Sequence, residues 1–449
     1  MIDNDTIAAI ATPPGKGAIA IVRVSGPQAR TLGSRLFRCR GELQARAATY
    51  GTVVDERGAP IDTGLAILSI APHSYTGEDT IEFHVHGSPV VAREVVRALL
   101  ACGARYARAG EFTRRAFLNG KLDLHAAQAV ADLIDAETRS AARAALANLG
   151  GGLAGEVRSL RARLASMLEE LAGAVDFPDE VPDPDRGVLE RELDAIAAQL
   201  LRLQREGEAG RIVREGVPVA IVGPPNAGKS SLLNALLGEE RALVSEIAGT
   251  TRDTIEEAIT VHGVQMRLID TAGIRAHADR LEAAGIERTE RALASARVAL
   301  VVLDGSQPLG AEARALLERT AGRSRVLFVN KADIGTSGAA QLDGVAHVLG
   351  SVRDRTALEE IREALAQAAW GGELPDLERP HLASLAELDA VAQALDALRH
   401  ARDTLRAGDP VDLIVGELQA AFAALGQLTG DAANEELLTG IFARFCIGK

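Results

Sequence analysis

Residues 223 to 230 read Gly-Pro-Pro-Asn-Ala-Gly-Lys-Ser, and no other feature of the chain constrains its fold as tightly. A G-x-x-x-x-G-K-[ST] run needs a strand before it and a helix after it. Val217 to Val222 is an apolar run suited to a buried strand, and Ser230 to Leu237 opens a helix that Gly238 is expected to close. The glycines let backbone N–H groups turn toward phosphates, and the helix N-terminus adds positive potential. Lys229 is placed to reach the β- and γ-phosphates, and Ser230 to ligate Mg2+.

Three more segments follow in order: Gly249-Thr250-Thr251-Arg252-Asp253-Thr254, Asp270-Thr271-Ala272-Gly273 and Asn330-Lys331-Ala332-Asp333. Met266 to Ile269 leads into Asp270, so a carboxylate ends a strand, where it can hold the Mg2+ shell. Gly273 can give a backbone N–H to the γ-phosphate. Val298 to Leu303 and Val326 to Val329 supply two more apolar strands. The carboxylate of Asp333 can accept two hydrogen bonds from the N1–H and N2–H2 edge of guanine, a pair that adenine lacks. The four segments together imply a GTP-binding domain, a Mg2+ ion and phosphoryl transfer. Of 49 Lys and Arg residues only five are lysines: Lys16, Lys121, Lys229, Lys331 and Lys449. Two of them serve GTP binding, which singles out the other three, because Arg does not replace a compact ammonium geometrically.

At 449 residues, two or three domains are expected. Residues 1–118 are mixed, with strands over Ala18 to Val24 and Gly64 to Ile70 and a helix over Val90 to Leu100. From Leu122 to about Leu203 the pattern is helical. Leu124, Val130, Leu133 and Ile134 form one apolar face, and Val157, Leu160, Leu164 and Leu171 another. After Pro380 a stripe runs through Leu382, Leu385, Leu388, Val391, Leu395, Leu398 and Leu405. The expected fold is multidomain α/β and α. It has an N-terminal α+β domain (1–118), a helical domain in two parts (119–213 and 378–449) and, inserted between them, a Ras-like doubly wound α/β GTP-binding domain (214–377).

The net charge of −13 and pI near 5.3 argue against a broad, non-specific nucleic-acid binder. Local basic patches remain open, either around Arg105, Arg108, Arg114, Arg115 and Lys121 or around Arg158, Arg161 and Arg163. The start lacks the basic and apolar regions of a signal peptide, and no apolar run approaches a membrane span. Cys39, Cys102 and Cys446 fit neither a disulfide framework nor a zinc site. A cytoplasmic protein is expected. His84 and His86 alternate on a strand but lack a third metal ligand nearby.

Ras-type enzymes follow Asp-x-x-Gly with a Gln that orients the attacking water; here the residue is Ile274, which cannot. Asn226, inside the phosphate loop, is a candidate replacement. Its amide oxygen can ligand a monovalent cation that neutralises the charge developing in the transition state. The alternative is an Asn that only supports the turn.

The phosphate loop with Asn226, the segment Gly249 to Thr254, Ile274 and the terminal Cys446-Ile447-Gly448-Lys449 together resemble the bacterial MnmE (TrmE) family of tRNA-modification GTPases. The likeness spans the chain. It includes Asp5-Thr6-Ile7-Ala8-Ala9 through Pro13-Pro14-Gly15, Thr76-Gly77-Glu78-Asp79, Gly110-Glu111-Phe112-Thr113 and Ala116 through Leu124. The resemblance implies a potassium-activated GTPase that helps to install an aminomethyl-type group on carbon 5 of the tRNA wobble uridine. The implied partners are a second copy of the chain, a flavin- and NADH-dependent protein, MnmG, and tRNA, with no membrane. The implied one-carbon source is 5-formyltetrahydrofolate or a related reduced folate, bound by the N-terminal domain, which also mediates dimerisation. Carried over by motif, Asn226, Ser245, Ile247 and Thr250 would line a K+ site, and Ser230 and Thr251 would ligate Mg2+. Glu246, Ala248 and Gly249 would complete the nucleotide contacts, with Ala227, Gly228, Ser231, Thr271, Ala272 and Ala332. Glu282 would orient the attacking water through another water. Arg23, Glu82, Lys121 and Lys449 would contact the folate, and Cys446 would be the catalytic thiol. The guanine-supporting loop departs from the usual Ser-Ala-Lys or Ser-Ala-Arg, reading Ser351-Val352-Arg353. A different class of reading, a GTP-switched RNA-binding or ribosome-assembly factor, predicts an RNA-binding module that is not evident here.

Overall fold

The computed structural model describes residues 5–176, 184–241, 257–270, 282–371, 379–382, 384–429, 442, 443, 445 and 448. At 239–241, 270, 282–288, 411 and 429 it describes the backbone alone. The chain divides into two units. One comprises 1–134, 148–200 and 389–449; the other comprises 135–147 and 201–388.

The first unit opens with β1 (Ile7–Ile10), β2 (Ile19–Ser25), α1 (Ala29–Leu36), β3 (Phe37–Cys39), β4 (Ala48–Val54), β5 (Pro60–Ser69) and β6 (Thr80–His86). Then come α2 (Pro89–Ala101), β7 (Arg105–Tyr106), α3 (Glu111–Leu118) and α4 (Leu124–Asp135). The strands form one sheet in the order β3-β4-β5-β6-β2-β1-β7. Alternation sets its two faces. In β6, Ile81, Phe83 and Val85 are buried under α1 and α2, while Glu82, His84 and His86 point to the other face. Pro89 at the first helical position, after Ser88, starts α2 as the pattern predicts.

Of the expected α4 face, Leu124 is buried, but Ile134 is 46% exposed. Small residues Ala126, Ala127 and Ala129 fill the contact instead, so the buried stripe is shifted around the helix. α5 (Arg139–Leu149), α6 (Gly152–Asp176) and α7 (Arg186–Glu215) follow. Val157, Leu160, Leu164 and Leu171 are all buried, as their spacing predicts. α7 runs about a dozen residues beyond the expected end near Leu203, because Leu203, Ile212 and Val213 continue its buried side.

The second unit holds β8 (Val217–Val222), α8 (Lys229–Arg241), β9 (Glu257–Val261), β10 (Val264–Asp270), α9 (Glu282–Ser295) and β11 (Val298–Asp304). α10 (Ala311–Thr320), β12 (Arg325–Asn330), β13 (Val348–Leu349) and α11 (Arg355–Trp370) complete it. α8 passes through Gly238 rather than ending there. A single helical glycine costs only about 1 kcal/mol, and Leu232, Leu233 and Leu236 hold the preceding turns in the core. The sheet order is β13-β12-β11-β8-β10-β9, parallel except for β9, an edge strand the sequence reading did not identify. The central strands are buried on both faces, hence their unbroken apolar runs. β8 lies between β11 and β10, so the loop after it opens at the point where strand order reverses.

α12 (Leu385–Ala407) and α13 (Val411–Thr429) return to helix. A capping box starts α12. Ser384 N–H donates to Glu387 Oε2 at 2.9 Å, and Glu387 N–H donates to Ser384 Oγ at 3.2 Å. In the expected stripe Val391, Leu398 and Leu405 are buried, whereas Leu385, in the first turn, is 56% exposed.

In the two candidate basic patches several arginines are engaged by partners within the fold, while Arg108, Lys121 and Arg158 are exposed. Arg115, 3% exposed, pairs with Asp5 at 2.5 Å, Glu78 at 3.1 Å and Glu111 at 3.2 Å. Arg105 pairs with Asp5 and Glu111, each at 2.6 Å. Arg161 lies over the Phe422 ring at 4.3 Å, and Arg163 pairs with Glu192 at 2.5 Å.

Candidate nucleotide site and a second polar cluster

β8 ends at Val222, and the chain then turns without side chains where none fits. A Cβ on Gly223 would lie 2.2 Å from Val302 O, and one on Gly228 would lie 2.2 Å from Asn330 Nδ2. Gly228 has φ +99° and Asn226 φ +59°, left-handed conformations that fold the loop around a concavity at the start of α8. Lys229 Nζ donates to Gly223 O at 2.9 Å and Pro224 O at 2.8 Å, so its ammonium lies across the loop. Phosphate oxygens in the concavity would compete for the same donors. Ser230 and Ser231 are exposed in the first turn of the helix. Asp270 ends β10 with its backbone beside Ile221, at the same edge of the sheet.

The base side is tied to the phosphate side by Asn330, which is 2% exposed. Its Nδ2 donates to Ala227 O at 2.9 Å. Its Oδ1 accepts from Lys331 N at 2.8 Å and Val352 N at 3.1 Å. One amide thus joins three loops, and the Ser351-Val352-Arg353 segment makes its contact through backbone N–H. Ala332 N–H donates to Gly350 O at 3.0 Å, and Asp333 is exposed. Lys331, at φ +64°, donates from Nζ to Asp304 Oδ2 at 2.7 Å. Burial alone would raise the Asp304 pKa. Hydrogen bonds from Lys331 and Ser306 outweigh it and hold the carboxyl below the usual Asp range. Asp304 was absent from the sequence-based candidates. Its signal is positional: it ends an apolar strand, as Asp270 and Asn330 do.

The first unit gathers a second set. Arg23 and Glu82 are partners across β2 and β6, and Arg23 Nε donates to Glu82 Oε1 at 2.8 Å. The guanidinium lies 5.6 Å from the Tyr75 ring centre and 5.7 Å from that of Phe112. It also donates to Gly448 O at 3.4 Å. Gly448 itself can take no side chain, since a Cβ would meet Ile10 O at 2.2 Å. Burial alone would raise the Glu82 pKa, but the Arg23 charge and hydrogen bond, with His84, hold it low. Lys121 is exposed, with its stem against Gly77. Phe442 and Phe445 pack with Leu124 and Ala127. His84 shares Glu82, and His86 pairs with Asp62. Among the described residues no group of His, Cys, Asp and Glu is placed to hold a metal ion.

Ser245, Glu246, Ile247, Ala248, Gly249, Thr250, Thr251, Thr271, Ala272, Gly273, Cys446 and Lys449 lie outside the described residues, as do the side chains of Asp270 and Glu282. No helix among the described residues is long and apolar enough to cross a membrane.

Known proteins align along the whole length. The family model described as the GTP-binding protein TrmE N-terminus matches residues 6–121, and that of the MnmE helical domain matches residues 124–446. A tRNA modification GTPase MnmE of Chloroflexus aurantiacus is 43% identical, over 99% of this chain and 100% of its own. Its counterpart in Enterococcus faecalis is 40% identical, over 100% of this chain and 99% of its own.

Proposed function

The chain belongs to the MnmE family of tRNA modification GTPases, and from that premise we propose a potassium-activated GTP cycle that drives modification of the tRNA wobble uridine. The observation that carries this reading is the phosphate loop, with Asn226 in a left-handed turn beside Gly228 and Lys229.

Hydrolysis proceeds by attack of water on the γ-phosphorus. The new O–P bond forms as the β–γ bridging bond breaks, leaving GDP and phosphate. Lys229 and the loop N–H groups bind the β- and γ-phosphates. Ser230 and Thr251 would hold Mg2+, whose charge would neutralise the phosphate oxygens. Asp333 selects guanine, and Asn330 keeps the base loop and the phosphate loop in one frame. Asn226 would supply an amide oxygen to K+, with Ser245, Ile247 and Thr250 as further ligands, a device to replace the water-orienting Gln whose position Ile274 takes. Glu282 orients the attacking water through a second water.

The Arg23–Glu82 pair, flanked by Tyr75 and Phe112, suits a reduced folate: a flat heterocycle with a hydrogen-bonding edge and a carboxylate tail. Lys121, near the same motifs, and Lys449 add cationic contacts, and Cys446 is the candidate thiol. A bound 5-formyltetrahydrofolate would supply the one-carbon unit. The working assembly is a cytoplasmic homodimer with the flavin-dependent MnmG and tRNA.

Reconstitution tests this directly. The chain, MnmG, GTP, Mg2+, K+, an ammonium salt as nitrogen source, reduced flavin and a reduced folate are incubated with unmodified tRNA, and the nucleosides are resolved by mass. An aminomethyl-type mass gain on uridine that disappears in Arg23→Leu supports the reading. A GTPase that binds no reduced folate and leaves tRNA unchanged contradicts it and favours the ribosome-assembly class.

A further inference from the structure

A tRNA-modifying chain of net charge −13 needs a local surface for RNA phosphates. The two basic runs that stand out in the sequence spend Arg105, Arg115, Arg161 and Arg163 on partners within the fold. Another run behaves differently. Arg30, Arg35, Arg38, Arg40 and Arg46 face Glu42 alone across this stretch, a local excess of four positive charges. All five arginines are exposed, and none makes an ion pair among the described residues.

Three of them lie at or beside the β3 edge of the first sheet. Arg35 lies in the last turn of α1, Arg38 lies in the edge strand β3, and Arg40 follows it. Arg46 is fixed by its backbone, which has φ +62° and donates to Leu68 O at 2.7 Å. Arg38 pairs with Thr52, so Tyr50, two residues along β4, shares its face. Tyr50 is 69% exposed. Arg38, Arg40 and Tyr50 line an open groove of about 850 Å3.

Unpaired guanidiniums close in sequence repel one another, and they gain most from an external anion that accepts their paired N–H donors. An exposed tyrosine ring beside them is a platform for an unstacked base. We propose that this β3 edge docks the phosphate backbone of the substrate tRNA, with Tyr50 stacking on a base. The proposal rests on the tRNA reading above. β3 is four strands from β2, about 19 Å from Arg23 at ordinary strand spacing, so both lie on one domain.

The test is binding of fluorescently labelled tRNA to the full chain, followed by anisotropy across a salt series. Arg38→Gln with Arg40→Gln is expected to weaken binding about tenfold at low salt and to lower the log–log salt slope by about 2. Tyr50→Ala weakens binding without changing the slope. Arg158→Gln, an exposed charge elsewhere, leaves both unchanged, and basal GTP hydrolysis is unaffected in every variant. If the wild type binds tRNA and the double variant binds it with equal affinity and slope, the docking edge is wrong while the tRNA reading stands. If the double variant instead loses MnmG and keeps tRNA, the edge belongs to a protein and the proposal is overturned. A wild type that binds no tRNA at any salt sinks both.

Discussion

The Lys331 ammonium rests on Asp304 at 2.7 Å, while its neighbour Asn330 spends its amide on the phosphate loop. Lys331 is thereby held in a left-handed backbone conformation that a lysine rarely adopts. Asp304→Asn keeps the shape of the side chain but removes the charge that fixes Lys331. The expected result is a several-fold rise in KM for GTP with a smaller change in kcat, read by steady-state hydrolysis. Gly228→Ala is harsher. The new Cβ meets Asn330 Nδ2 at 2.2 Å in a backbone region closed to alanine, so binding of a fluorescent GDP analogue should be lost. The phosphate loop was legible because its constraints lie within eight consecutive residues. The Asp304 contact was not, because it joins positions 27 residues apart through strand pairing.

Among the elements, the ion network joining Asp5, Glu78, Arg105, Glu111 and Arg115 ties the start of β1 to β7 and α3. Removing the Arg115 guanidinium leaves the partly buried Glu78 without its ion-pair partner and Glu111 with Arg105 alone. Arg115→Met should cost about 3–5 kcal/mol in urea unfolding. Hydrogen bonding to Arg105 holds Asp5 below its usual range. For Glu111, burial pulls upward, but Arg105, the Arg108 backbone N–H and Arg115 win and hold it low. Carboxyls depressed on folding stabilise the native state above their unfolded values and lose that contribution as pH falls through the folded ones. The first unit should therefore lose stability progressively below about pH 4, and Glu111→Gln should flatten that dependence in thermal melts across pH. Gly110 begins α3 at φ +65°, and a Cβ there would lie 2.5 Å from Phe442 O. The sequence marked Gly110 to Thr113 as a motif, but its contact with a segment more than 300 residues later is visible only in the fold. Likewise, a run of arginines reads as a basic patch until Asp5, about a hundred residues earlier, closes on it.

Across the whole molecule, strand–helix alternation and apolar stripes were enough to read an α/β GTP-binding region flanked by helices, since period and run length reflect which faces are buried. The inclusion of Asp135–Ala147 with the GTP-binding unit was not readable. Ala141 and Ala144 pack there as small residues that carry no distinct pattern. Replacement of the water-orienting glutamine by a monovalent cation at Asn226 is the step on which the proposed GTP cycle depends. The deciding measurement is GTP hydrolysis by the purified chain in potassium and in sodium chloride at equal ionic strength, beside Asn226→Ala. A cation bound at Asn226 gives strong stimulation by potassium alone and its loss in the variant. Equal rates in the two salts, or stimulation that survives in Asn226→Ala, would contradict it.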